Sequence, residues 1–457
     1  MEYTEMLRAA VEANELIMLT AELPQNGQAR GSQSISFPFL PFTSMKYEFK
    51  RCFDANQSPH HTGHLSDEPL ARLIESTKGG IEHCKRFTWK RLGFYYPKPD
   101  WTIDTYETLL KDFKANKNHT KGLHFCLDSL TRSPNQASSA RLMELAMEVI
   151  KISHSTQIDE LAIGINLPTV YNESAPNPSS VLFSMMGKIP SFQNLTTFIF
   201  VSDCKVPFSE SFMAWIISQL PNLRYLSLCI RDGFEEQGMY GPKADLGEAL
   251  ASRTKLVSLD LKFSALPKPE WLELFWRPQL EGLSIELGGT HQHTTPTVLG
   301  FCHLFCNSLG RLGITGSPAQ LSEEEKLLGH QFMSLKSLTI QETDSDTSYL
   351  SVFSLCPSIE FLTWLADPSL AENLWFKFKQ EYCPNAKRWK KLECIAIPEN
   401  YNTNPTGVLW CKDLENYLYR KSVHLAFTDK VLKPNSYVEA MTDLNSTIYY
   451  DPPYAHL

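Results

Sequence analysis

The chain has 457 residues, 42% of them hydrophobic, 11% aromatic and 21% charged; this leaves room for several domains or one long repeat array and excludes a mostly disordered, collagenous or disulfide-dominated chain. Its 43 Lys and Arg against 51 Asp and Glu give a formal charge of -8, which argues against nucleic acid as the main ligand, because neutralising phosphates takes a clustered basic face. The 11 cysteines are odd in number, scattered and never spaced C-x-x-C, so they read as reduced thiols of a cytoplasmic or nuclear protein.

In chain order, Leu7, Val11 and the Leu16 to Leu19 cluster fall at roughly helical spacing and predict a helix within residues 1–22. Its acidic start and short apolar run do not make a signal peptide, and no stretch of the chain reaches the length of a membrane span. Residues 23–36, rich in Gly, Gln and Ser after Pro24, read as a linker. From about Phe37 to residue 434 the chain reads as one solenoid, and residues 435–457, with Pro452 and Pro453, as a closing cap or tail.

The solenoid reading rests on a hexamer, apolar-x-x-apolar-x-apolar, that returns eight times at intervals of 24 to 33 residues, with first positions Leu195, Leu223, Leu256, Leu280, Leu309, Leu335, Ile359 and Leu392. Ile158-Asp-Glu-Leu161-Ala-Ile163 fits the pattern upstream. Thr120-Lys-Gly-Leu123-His-Phe125 and Cys84-Lys-Arg-Phe87-Thr-Trp89 fit it less cleanly. The fourth and sixth positions point to one face of a short strand, so stacked strands bury a continuous apolar ladder. Between strands, helical spacing predicts helices over Asp104 to Phe113, Arg141 to Ile152, Ser209 to Leu220 and Ser322 to Met333, and from Asp367-Pro-Ser onward; Val423 to Phe427 predicts the last strand. Strand then helix, repeated, implies an α/β fold with a parallel sheet.

The hexamers resemble leucine-rich repeats, and their irregular spacing resembles the variable solenoids of fungal F-box/LRR proteins. The stretch from Leu65-Ser-Asp-Glu-Pro-Leu to Trp89 looks like the segment that links an F-box to the first repeat there. The family's asparagine, eight residues after the first leucine, stands only at Asn400; its other equivalents include Asp203, Arg231 and Ser264. An F-box of about fifty residues is not visible ahead of Phe37, where Ala21-Glu-Leu-Pro24 alone echoes its opening. The resemblance implies a concave parallel sheet with helices on the convex face, a protein partner held on that sheet, and substrate recruitment for a cullin-type ubiquitin ligase. A Skp-family adaptor is implied only if an F-box is present. A stand-alone repeat scaffold and an enzyme with a loop site remain as alternatives.

No phosphate loop, metalloprotease, hydrolase or kinase motif occurs, and no catalytic residue or cofactor is assigned. His291 and His293 with Cys302 and Cys306 have zinc-ligand chemistry. The competing reading, which is preferred, packs Val298, Leu299, Cys302, Leu304, Phe305 and Cys306 on the buried side of a helix, with no metal. Cys52, His60, His61 and His64 read as a solvated loop, and the basic runs Lys85 to Arg91 and Lys387 to Lys391 as exposed turn charges. The third, fifth and seventh hexamer positions form the second face of the sheet. They are mostly small, and the expected binding residues among them are Tyr225, Ser227, Asp260, Lys262, Glu286, Arg311, Gln341 and Phe361. On this register Leu226→Asp and Leu283→Asp are expected to unfold the array, whereas Ser227→Asp and Ser284→Asp are expected to be tolerated.

Overall fold

Period-two alternation of Leu, Ile and Phe with small or polar residues builds strands, and the structure, a computed structural model, places one in each hexamer from the one at Thr120 to the one at Leu392. It describes residues 91–96, 103–128, 136–153, 157–166, 178–202, 204–235, 244–287, 295–316, 332–342, 349–353, 356–366, 389–398 and 405–428. By compactness the chain divides into one unit of residues 1–93 and 111–124 and a second of residues 94–110 and 125–457. The expected segments 1–22, 23–36 and 435–457, and the strand expected at 84–89, lie outside the described residues. The first described strand is β1 (Arg91–Tyr96), with Leu92 buried, followed by α1 (Ile103–Asn116), β2 (Gly122–Asp128) and α2 (Gln136–Ile152). Helix α1 buries Tyr106, Leu109, Leu110 and Phe113, the three-to-four spacing of one helical face.

The larger unit carries the regular part. Its strands are β3 (Glu160–Asn166), β4 (Thr197–Ser202), β5 (Tyr225–Ile230), β6 (Ser258–Phe263), β7 (Gly282–Glu286), β8 (Arg311–Thr315), β9 (Ser337–Glu342), β10 (Phe361–Ala366), β11 (Cys394–Pro398) and β12 (His424–Thr428). Each pairs with the next in parallel, so sheet order is chain order. The register puts Leu161, Phe198, Leu226, Leu259, Leu283, Leu312, Leu338, Leu362 and Ile395 in one buried row. Ile163, Phe200, Leu228, Leu261, Ile285, Ile314, Ile340, Trp364 and Ile397 lie two residues on and are equally buried. Each such side chain contributes about 1.5–3 kcal/mol by leaving water, and each row is shared between neighbours. This is an α/β solenoid of leucine-rich-repeat type.

Strand entry follows one rule. The carbonyl of the second hexamer residue accepts two backbone N–H groups from the next repeat: Thr196 O from Arg224 and Tyr225, Arg224 O from Val257 and Ser258, Val257 O from Glu281 and Gly282, Glu281 O from Gly310 and Arg311. The same sharing continues through Gly310 O, Lys336 O and Glu360 O, at 2.7–3.2 Å throughout. The connections between strands are far less uniform.

Helices α3 (Pro178–Met186), α4 (Glu210–Ser218), α5 (Leu246–Ala251), α6 (Thr295–His303), α7 (Tyr349–Phe353) and α8 (Pro405–Tyr419) fill six of them, and a 3-10 turn, Pro269–Glu273, replaces a helix in the short connection from β6 to β7. Ser209 caps α4 by accepting from Phe212 N at 3.3 Å, and Asp245 caps α5 by accepting from Glu248 N at 2.9 Å. Ring contacts run from Phe200 on β4 through Phe208 to Phe212 on α4, which places that helix on the leucine face. Trp271, Trp276, Phe301 and Phe305 fill the same layer further on. Trp389 is buried there too, with its indole N–H donated to Phe353 O at 2.9 Å, although the sequence reading grouped it with exposed basic residues; Lys390 and Lys391 beside it are exposed in a turn.

Further expectations are shifted or lie outside the described residues. Of the helix expected from Ser322 to Met333 only the end is described, and Phe332 and Met333 lie in a turn ahead of β9; the helix expected from Asp367 lies outside the described residues. Leu304 is exposed rather than on the buried side, and Cys306 is half-buried, because α6 ends at His303 and helical periodicity ends with it. At the position of the repeat asparagine, Ser264 Oγ donates to Arg231 O at 3.0 Å, so a serine makes the inter-repeat bond between β5 and β6.

Two neighbours on β9 test the register. Leu338 is fully buried and Thr339 faces the other way, half-buried. Leu338→Asp is expected to cost several kcal/mol in chemical denaturation, and Thr339→Asp about 1 kcal/mol or less. Equal denaturation midpoints would refute the assignment of faces.

Candidate binding face

Residues whose side chains alternate with the leucine rows line up across the second face of the sheet. Pairing runs Tyr225, Ser258, Gly282, Arg311, Ser337, Phe361 in one row and Ser227, Asp260, Ser284, Gly313, Thr339, Thr363 in the next. A third row holds Cys229, Lys262, Glu286 and Thr315, and Gln341 pairs with Leu365 at the same depth. All eight residues expected to bind therefore lie on one face of β5 to β10.

The centre of this face is an ordered polar network. Ser227 Oγ donates to Asp260 Oδ2 at 2.7 Å, and Lys262 Nζ stands 3.8 Å from Asp260 Oδ2 and 3.7 Å from Glu286 Oε2. The Asp260 carboxylate foremost, then Glu286, hold the Lys262 ammonium above the usual lysine range against an opposing desolvation. Burial raises the Glu286 carboxyl, with Lys262 pulling the other way; burial, and next the Asp260 charge, raises the Tyr225 phenol. Asp260 Oδ1 is buried with no hydrogen-bond donor. Arg311 and Gln341 sit apart from the network: a Cβ at Gly282 would meet Arg311 Nη2 at 3.6 Å and Ser258 Oγ at 3.0 Å, and Gln341 Oε1 accepts from Gly316 N at 3.0 Å. Gly282 is buried, because the Ser258 and Arg311 side chains close over it, and Gly313 is half-buried beside Ser284.

Two expectations about this face need correction. The third, fifth and seventh positions of the hexamer at Leu195 are Thr197, Ile199 and Val201, yet Ile199 and Val201 are only 2% and 1% exposed and cluster with Ala162 and Cys229, against which Tyr225 and Phe263 pack. Ser227 is likewise 2% exposed and bound to Asp260, so Ser227→Asp would force two carboxylates together instead of being tolerated. Ser284→Asp faces the same Asp260 across the strand pair. Period two assigns a side chain to a face; it does not report what its cross-strand neighbours are.

The cysteine and histidine group near Cys302 has a different character. Cys302 is fully buried and its thiol is pushed well up by desolvation; burial raises the Cys356 thiol to about 12. His303 packs edge-on against Phe332, and its Nδ1 is buried with no partner. Among the described residues no three His, Cys, Asp or Glu side chains come together to hold a metal, while His291, His293 and the Cys52 to His64 cluster lie outside them. No described helix is long and apolar enough to cross a membrane.

Two expected outcomes follow from these environments. Lys262→Met leaves Asp260 and Glu286 without their shared cation and should cost about 1–3 kcal/mol near neutral pH. A raised lysine contributes fully below its ordinary value of 10.5 and loses that contribution as pH rises through the folded value, and Tyr225 adds to the loss above 10.0. Denaturation against pH should therefore show the wild type losing stability in alkali more steeply than Lys262→Met; parallel curves would refute the network. Glu286, raised from 4.5, contributes stability below that value and loses it as pH rises through its folded value, so it does not mask the alkaline loss. In native-state alkylation read by mass spectrometry, half-buried Cys306 should label before Cys302 and Cys356, which should react only on unfolding.

No family model matches the chain, and no curated protein matches it either. Among solved structures, the chain is similar to an internalin from Listeria monocytogenes at 12% identity, over 72% of this chain and 89% of the other, with a TM-score of 0.29. At that likeness it is the strand register described above that defines the fold.

Proposed function

We propose that the chain is a protein-binding scaffold whose partner docks on the second face of the sheet, the concave face expected of a leucine-rich-repeat array. The observation that supports this reading most is the arrangement around Gly282 and Gly313. Arg311 reaches over Gly282, Phe361 lies two strands further along the same row, both of them residue types that anchor interfaces, and Lys262 is already held between two carboxylates. A partner meeting pre-ordered charges loses little side-chain freedom on contact. Thiols pushed up by burial at Cys302 and Cys356 make poor nucleophiles, which counts against a thiol-based site at that place.

The finer reading is substrate recruitment for a cullin-type ubiquitin ligase, carried by the resemblance of the irregular repeats to F-box/LRR proteins; the rival is a scaffold without a ligase link. Affinity capture with the wild-type chain, compared with an Arg311→Glu, Phe361→Ala double variant, is expected to yield a partner that the variant loses while its thermal melting is preserved. A partner retained by the variant would move the site off this face. Calorimetric titration with a purified Skp-family adaptor tests the ligase context: binding supports the ligase role, and its absence, together with no F-box coding sequence upstream of Met1, favours the stand-alone scaffold.

A further inference from the structure

A groove of about 890 Å³ runs along the edge where β4 to β7 begin, away from the face discussed above. Its walls come from residues on either side of the first leucine of each repeat, so the entry rule that stacks the strands also stacks these side chains. The cations are Arg224, Lys255 and Arg277, all exposed, against the single acid Glu281. In a chain with a net charge of -8 this is a local reversal of sign.

The cations are available. The Arg224 and Arg277 guanidinium groups have no hydrogen bond or ion pair with any described residue, Glu281 included. Lys255 Nζ donates to Asn222 Oδ1 at 2.6 Å, and Asn222 is itself held by donating to Gln193 O at 2.8 Å. That fixes the ammonium in place with two further N–H groups to give. The backbone N–H groups of Thr196, Arg224, Val257 and Glu281 are taken by the strand-entry bonds and that of Arg277 by Ala251 O, while the side chains offer two planar forks, one positioned ammonium and the Gln279 amide. From β4 to β7 is three strand spacings, about 14 Å, the length of four or five extended residues.

We infer that this groove binds a short, extended, Asp- and Glu-rich segment of a protein partner, with Arg224, Lys255 and Arg277 each taking a side-chain carboxylate. Nucleic acid offers a similar row of anions, but in a chain of net charge -8 a phosphodiester strand running on beyond the groove meets more repulsion than a short peptide does. The groove stands apart from the proposed sheet-face site and does not depend on it.

The test is fluorescence anisotropy with the full chain and fluorescein-labelled hexaglutamate. Saturable binding is expected, weakening as salt is raised and absent for labelled hexalysine. The double variant Arg224→Glu, Arg277→Glu should bind about tenfold more weakly or worse with an unchanged melting temperature, and Arg224→Lys, Arg277→Lys should retain part of the affinity, because the charge stays and the fork is lost. Arg311→Glu on the sheet face should leave the titration unchanged, so failure of the sheet-face reading cannot be mistaken for failure here. The proposal is overturned if hexaglutamate does not bind, if the charge-reversed variant binds it as the wild type does, or if labelled oligothymidylate binds as tightly as the peptide.

Discussion

Two backbone N–H groups given to one carbonyl at the start of each strand are the constraint on which the rest depends. Because Thr196 O, Arg224 O, Val257 O, Glu281 O and their successors each fix the next strand at its entry, register is set before the strand begins. The connection that precedes it can then hold a capped helix such as α4, or only the 3-10 turn Pro269–Glu273, without displacing a leucine. Irregular repeat length and regular core rows are compatible for this reason. Parallel pairing alone would tolerate a slip, but a slip by one residue would carry every leucine to the wrong face.

The two faces then separate their chemistry. The leucine face is closed by rings and aliphatic chains of the connections, and its energetics are those of any repeat core. On the other face, the side chains of β5 to β7 answer one another across strands: serine to aspartate, aspartate to lysine, lysine to glutamate. The Lys262 ammonium is held charged by the two carboxylates beside it, and Ser227 is spent on one of them, so removing one member leaves its neighbours without a partner.

Much of this was legible in the sequence. The hexamers predicted the strands, their direction and the buried rows, since period two and a shared apolar core leave few other arrangements. The helix opening at Ser209 could be read from the helical spacing of Phe212, Met213, Ile216 and Ile217, and all eight binding candidates fell on one face. Burial on that face was less legible: Ile199, Val201 and Ser227 occupy formally open positions but are closed off, which depends on neighbours that a single strand does not encode. Trp389 misled because its flanking lysines are exposed while its own backbone, at φ +41°, turns the indole inward. The charged edge lined by Arg224, Lys255 and Arg277 escaped notice because its residues are more than twenty positions apart in sequence and meet only through stacking.

The shared-carbonyl entry also makes the sheet a ruler. Whole repeats added or removed between two contact points would change their separation in steps of one strand spacing, about 4.8 Å, while lengthening a connection would change it not at all. Tyr225 and Phe361, in the same row, are five such steps apart. The reach between the two aromatic side chains is therefore a counted quantity, and a chain of this kind would lengthen its sheet by discrete jumps in repeat number, with no gradual stretching in between.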